Sequence, residues 1–97
     1  MIDQIQLRLS AHRALLGRIH PDIRLVKIKS VGSDIVLSVI VDREPNDRLR
    51  DDISDATTEI IADFPEASKI QARFEVSGYP IPAENALTEG WLFRRAE

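Results

Sequence analysis

Cysteine is absent from this chain, and glycine is scarce, with four residues in 97 and no two of them clustered. The missing thiols exclude disulfides, thiolate nucleophiles and cysteine-ligated zinc, and a small domain without such staples suits a reducing compartment. The scattered glycines exclude a phosphate-cradling loop of the Walker or dinucleotide type, and also the Gly-x-x-Gly clamp of a KH-type RNA-binding domain. No apolar run approaches the roughly 18 residues of a membrane span. The start, MIDQIQLRLS, has no basic-then-apolar leader pattern, so the expected location is the cytoplasm, with no membrane partner.

What remains is an ordinary soluble composition, 43% hydrophobic and 30% charged. At this length the expectation is one domain with one modest core. The net charge of −3 conceals an asymmetry. Residues 1–30 hold six Lys/Arg against two Asp, residues 31–68 hold three Arg against ten Asp/Glu, and residues 69–97 balance at four of each. An acidic middle argues against the broad phosphate contact that dominates nucleic-acid binding. It also lets the basic first third and the acidic middle attract each other, within one fold or across two copies.

Asp3 followed by Gln6 reads as a capping box with Ile2 as its hydrophobic staple, opening a helix that His20-Pro21 ends. Ile5, Leu9, His12, Leu16 and Ile19 form its stripe, and Leu7, Ala11, Ala14 and Leu15 widen the apolar arc beyond what one core face needs. A second surface, the C-terminal tail or another subunit, is therefore expected against this helix. Ile23 to Ser30 and Ile35 to Val41 read as strands joined across a Gly32 turn into an antiparallel hairpin. Asn46 or Asp47 caps a second helix running from Asp47 to Phe64, whose core stripe is Leu49, Ile53, Ala56, Ile60 and Phe64. Lys69 to Val76 alternates as a third strand, with Ile70, Ala72, Phe74 and Val76 on one face. Ser77 to Pro82 breaks regular structure, Ala83 to Thr88 suits a helical turn, and Trp91-Leu92-Phe93 closes a short aromatic tail.

The fold class is thus α+β, a single domain over 1–97 in the order α-β-β-α-β. It reads as a ferredoxin-like two-layer sandwich with both helices on one face of a mainly antiparallel sheet. Residues 1–76 form its core, and 77–97 an irregular tail that packs on the core or at an interface.

One pattern carries a functional question. Asp51, Asp55, Glu59 and Asp63 follow one another at intervals of four along the second helix, with Asp52 beside them. Like charges at that spacing repel by roughly 0.2–0.5 kcal/mol per pair, so something basic inside or outside the molecule is expected to oppose them. The first and last lie about 18 Å apart by helix rise, too far to share a metal ion, and no calcium-loop pattern is present. The ladder is either a solvated face or a protein-binding surface, and Arg48 and Arg50 stand where they can neutralise Asp52 and Asp51 locally. His12 and His20, the two histidines, lack a serine or cysteine partner at recognisable spacing, so no nucleophilic triad is expected. No catalytic, cofactor-binding or metal-ligating residues are assigned. Trp91 and Phe93, two apart in the tail, either cover helix one, extend the sheet, or anchor an interface.

The run from His20 to Pro80 resembles the cytoplasmic domain of cation diffusion facilitators: strand, glycine turn, strand, acidic helix, strand. That family's metal ligands include histidines, and none follows His20 here, so metal binding is not carried over. The segments Asp55-Ala56-Thr57-Thr58-Glu59-Ile60-Ile61-Ala62-Asp63-Phe64-Pro65 and Glu89-Gly90-Trp91-Leu92-Phe93-Arg94-Arg95 are similar to small bacterial immunity proteins, which are encoded beside secreted toxins and neutralise them by binding. This resemblance implies a non-catalytic antitoxin whose Asp51, Asp55, Glu59 and Asp63 face a basic toxin domain, with Trp91 and Phe93 as apolar anchors. The alternative is a self-associating ferredoxin-like regulatory or ligand-binding domain, again without catalytic activity, forming a homodimer.

Overall fold

The computed structural model describes residues 2–77 and 91–94, with the backbone alone at Trp91 and Arg94. The elements are α1 (Gln4–Leu15), β1 (Ile23–Val31), β2 (Asp34–Val41), α2 (Asp47–Ala62), β3 (Lys69–Val76) and β4 (Trp91–Arg94). They form one α+β unit whose sheet order is β3-β2-β1-β4. β1 is antiparallel to both β2 and β4, while β2 and β3 are parallel neighbours linked through α2. The sheet is therefore mixed, with two antiparallel junctions and one parallel. The expectations for Tyr79 to Pro82 and for a helical turn over Ala83–Thr88 lie outside the described residues.

One apolar cluster joins both helices to a single sheet face: Leu7, Ala11, Ala14 and Leu15 from α1, Leu49, Ile53, Ala56 and Ile60 from α2, and the inward residues of β1 and β2. On β2 the strict alternation Ile35, Leu37, Val39, Val41 supplies four side chains with no exposure at all. β1 opens with an irregularity. Ile23 pairs with Val41 and Val26 with Val39, so three residues of β1 span two of β2 and Arg24 is the extra one. Arg24 is almost fully buried and donates from Nη1 to the Ser77 carbonyl at 2.7 Å, tying the end of β3 to the start of β1.

The expected first helix needs two corrections. It ends at Leu15 rather than at His20, because Gly17 takes φ +78° just past the Leu16 cap, a conformation that costs any side chain carrying a Cβ. Its buried face is the other one. Leu7, Ala11, Ala14 and Leu15 go inward with Ser10, whereas Ile5, Leu9 and Leu16 stand 70%, 51% and 78% exposed. The small side chains of Ser10, Ala11 and Ala14 let the helix backbone approach α2 and the sheet closely. A stripe of leucines and isoleucines would have held it further off.

Candidate protein-binding surface

α2 is set by its ends and its stripe. Asn46 caps it, the side-chain Oδ1 accepting from Leu49 N at 2.8 Å, and Leu49, Ile53, Ala56 and Ile60 are at most 1% exposed. The acids are then distributed by helix geometry. A step of four residues at 3.6 per turn rotates about 40°, so four acids at that interval wind roughly 120° around the helix. Asp51 begins on the solvent side, and Asp63 ends against α1.

The structure shows this winding as a division of labour. Asp63 accepts a hydrogen bond from Ser10 Oγ at 2.6 Å and pairs with Arg13 at 3.5 Å. Glu59 is bound by the Arg18 guanidinium, which also donates to the Ala14 carbonyl and so closes the end of α1. Asp52, a neighbour of the ladder, meets His20 Nε2 at 2.6 Å. These contacts run antiparallel, the α1 side rising from residue 10 to 20 as the α2 side falls from 63 to 52. The basic first third thus opposes the acidic middle inside one fold.

Asp51 and Asp55 take no part. Both are exposed, and among the described residues neither has an ion-pair or hydrogen-bond partner. Arg50 does not neutralise Asp51 as expected: it pairs with Glu44 at 3.1 Å and lies over the Phe74 ring at 5.2 Å. Separately, the outer side of α1 presents Ile5, Leu9 and Leu16, continued by Ile19 at 37% exposure. The sequence carried a signal for this ridge, since the apolar arc of α1 was too wide for one core face.

The tail residues separate as well. β4 pairs with β1 through a shifted register, Val26 opposite Phe93 and Lys27 opposite Trp91. Leu92 is buried in the core and Phe93 packs half-buried against it. Phe93 therefore has a structural task, extending the sheet and closing the C-terminal end of α1. The Trp91 side chain lies outside the described part.

Between the start of α1 and the end of α2 lies an open polar groove of about 500 Å³, lined by Asp3, Gln6, Ser10, Arg13, Asp63, Phe64 and Glu66. Four of its polar side chains are occupied: Asp3 caps α1 through Ile5 N and Gln6 N, and Asp63 holds Ser10 and Arg13. Among the described residues no group of three or more His, Asp or Glu is placed to hold a metal ion. No helix among them is long and apolar enough to cross a membrane.

The helical layer thus has an exposed apolar ridge on α1 and, among the described residues, two unopposed carboxylates on α2. The family model of the MafI2 immunity protein matches residues 4–97, which span every element of the fold. The chain belongs to the MafI2 immunity protein family. Membership implies a toxin as the protein partner and neutralisation of it as the role. The resemblance noted in the two segments above thus extends across the chain, while the match does not bear on the likeness to cation diffusion facilitators. No curated protein matches the sequence.

Proposed function

We infer that this immunity protein neutralises its toxin in the cytoplasm by direct, non-catalytic binding, through the outer side of its helical layer. The observations that carry the reading are two open features of that layer, apolar area without a cover at Ile5, Leu9 and Leu16 of α1 and charge without a partner among the described residues at Asp51 and Asp55 of α2. Large exposed aliphatics in a row are atypical of a surface that meets only water, and a polar rim around them is the usual anatomy of an interface. Asp51 and Asp55 then face a basic patch on the toxin, where complementary charge speeds encounter and suppresses wrong partners. Glu59 and Asp63 contribute less, since α1 already opposes them, and Phe93 contributes through the sheet. Trp91 remains the aromatic candidate for an anchor.

Co-expression tests this. Cells producing the toxin partner should grow when the chain is present, and the two proteins should co-purify. Growth rescue without a stable complex would overturn the binding mechanism and point to modification or destruction of the toxin.

A further inference from the structure

The outer edge of the sheet is the part of the molecule that toxin binding leaves unexplained. β3 keeps an unbroken register with β2 over eight residues, Asp34 with Lys69 through Val41 with Val76. Its other side has no paired strand among the described residues. Natural edges are blunted by charged side chains, proline, a bulge, an inward charge or brevity. β3 has the first, in exposed Lys69, Arg73 and Glu75, and none of the others, and its inward residues are Ile70, Ala72 and Phe74. The cover over them is incomplete: their β2 partners Ile35, Leu37 and Val39 are fully buried, whereas all three of these are only partly so.

We propose that a second copy of this chain pairs antiparallel along β3, with the two-fold axis at Ala72. The strand is self-complementary in that register. Lys69 falls opposite Glu75 of the second copy and Gln71 opposite Arg73, each twice, while Ile70 meets Phe74 on the helix-covered face and Ala72 meets itself at the axis. Opposite charges and aromatic–β-branched pairs are the favourable cross-strand combinations. Moving the axis one residue either way sets Lys69 against Arg73, or Arg73 against its own copy. An axis at Phe74 matches Arg73 with Glu75 but leaves Lys69 and Ile70 without partners in β3.

The helical layer agrees with this placement. Two α2 helices would meet across the axis through the flank above Phe74, where Arg50, Ser54, Thr57 and Ile61 follow at intervals of four, three and four. That flank also holds Asp47, three residues before Arg50, and Glu44, which Arg50 pairs with at 3.1 Å. The ladder acids wind around the other side, so Asp51 and Asp55 stay free for the toxin and the inference does not depend on how the toxin is bound.

Sedimentation equilibrium of the full chain tests the pairing, with Lys69→Glu, Glu75→Lys and the double exchange, each checked for folding by its circular dichroism melt. The expected result is a reversible dimer of roughly 10–100 µM dissociation constant, weakened about tenfold by either reversal and restored by the exchange. Ala72→Lys, an inward charge at the axis, should abolish it. A wild-type chain that stays monomeric up to about 1 mM overturns the proposal, as does a dimer indifferent to the reversals or one that the exchange does not restore. A monomer whose β3 variants lose toxin affinity would give the edge to a toxin strand instead.

Discussion

Replacing Asp63 by alanine isolates the structural half of the acid ladder. The change removes the acceptor of the Ser10 hydroxyl, which sits in a side chain only 3% exposed and bonds Asp63 at 2.6 Å. Leaving a buried hydroxyl unpaired costs about 1–3 kcal/mol, and the low end applies because serine in a helix can turn its hydroxyl to a carbonyl one turn back. The Arg13 pair adds little, with side chains 71% and 48% exposed to water that screens them. Against the loss stands a gain of about 0.3–1 kcal/mol from taking a negative charge off a helix C-terminus. The net expectation is a destabilisation of about 0.5 kcal/mol, or roughly 2–4 °C in Tm for a domain of this size. Asp63→Asn, which keeps an acceptor and drops the charge, should stay within about 0.5 kcal/mol of wild type. Asp51→Ala and Asp55→Ala should cost nothing, and each should stabilise by roughly 0.2–0.5 kcal/mol by relieving the repulsion between them. Urea unfolding at constant m measures all four, and a Ser10→Ala/Asp63→Ala cycle should show coupling of about 0.5–1 kcal/mol. Equal stabilities for Asp63→Ala and Asp51→Ala, or strict additivity in the cycle, would refute the division between engaged and free carboxylates.

Three further outcomes follow from the packing. Ile53→Ala, at a fully buried position between α2 and the sheet, should cost about 2–5 kcal/mol and show a matching fall in urea midpoint; a loss below about 1 kcal/mol would mean the site collapses. Gly17→Ala, at φ +78° with open space around the new Cβ, should cost about 1 kcal/mol through backbone strain alone, and Gly17→Asn less, as thermal melts would show. Leu9→Ser and Leu16→Ser, on the open ridge, should change stability by under about 0.5 kcal/mol yet raise the Kd for the toxin by roughly tenfold or more in calorimetry.

How far the sequence could be read depended on how narrowly each pattern constrained its element. The α2 stripe has one solution, since Leu49, Ile53, Ala56, Ile60 and Phe64 share one side with charge around the rest, and all five are buried. The hairpin was equally plain, because Gly32 fixes the turn and the β-branched, nearly all-apolar run from Ile35 to Val41 marks a central strand, whereas which of its faces meets the helices became clear only in the structure. α1 was ambiguous for a physical reason: apolar residues lie on both its sides, and periodicity alone does not say which one the core takes. That choice was made by tertiary contacts, the fit of Ser10, Ala11 and Ala14 against α2, which no local window contains. The acid ladder was visible as a spacing, but the 40° drift per step decides that Asp63 and Glu59 meet α1 while Asp51 and Asp55 do not. The parallel pairing of β3 with β2, and the place of β4 beside β1, are likewise non-local. The toxin partner came from similarity along the chain, because a binding surface has no chemical signature comparable to a catalytic set.

The central claim is that the free acids of α2, and not the engaged ones, meet the toxin. Stopped-flow association of the toxin domain with wild type, Asp51→Lys/Asp55→Lys and Asp63→Asn, across a range of salt, measures it most directly. The account predicts roughly tenfold slower association and a flattened salt dependence for the double reversal alone, with Asp63→Asn close to wild type. An unchanged rate for the double reversal, or a larger effect from Asp63→Asn, would contradict it.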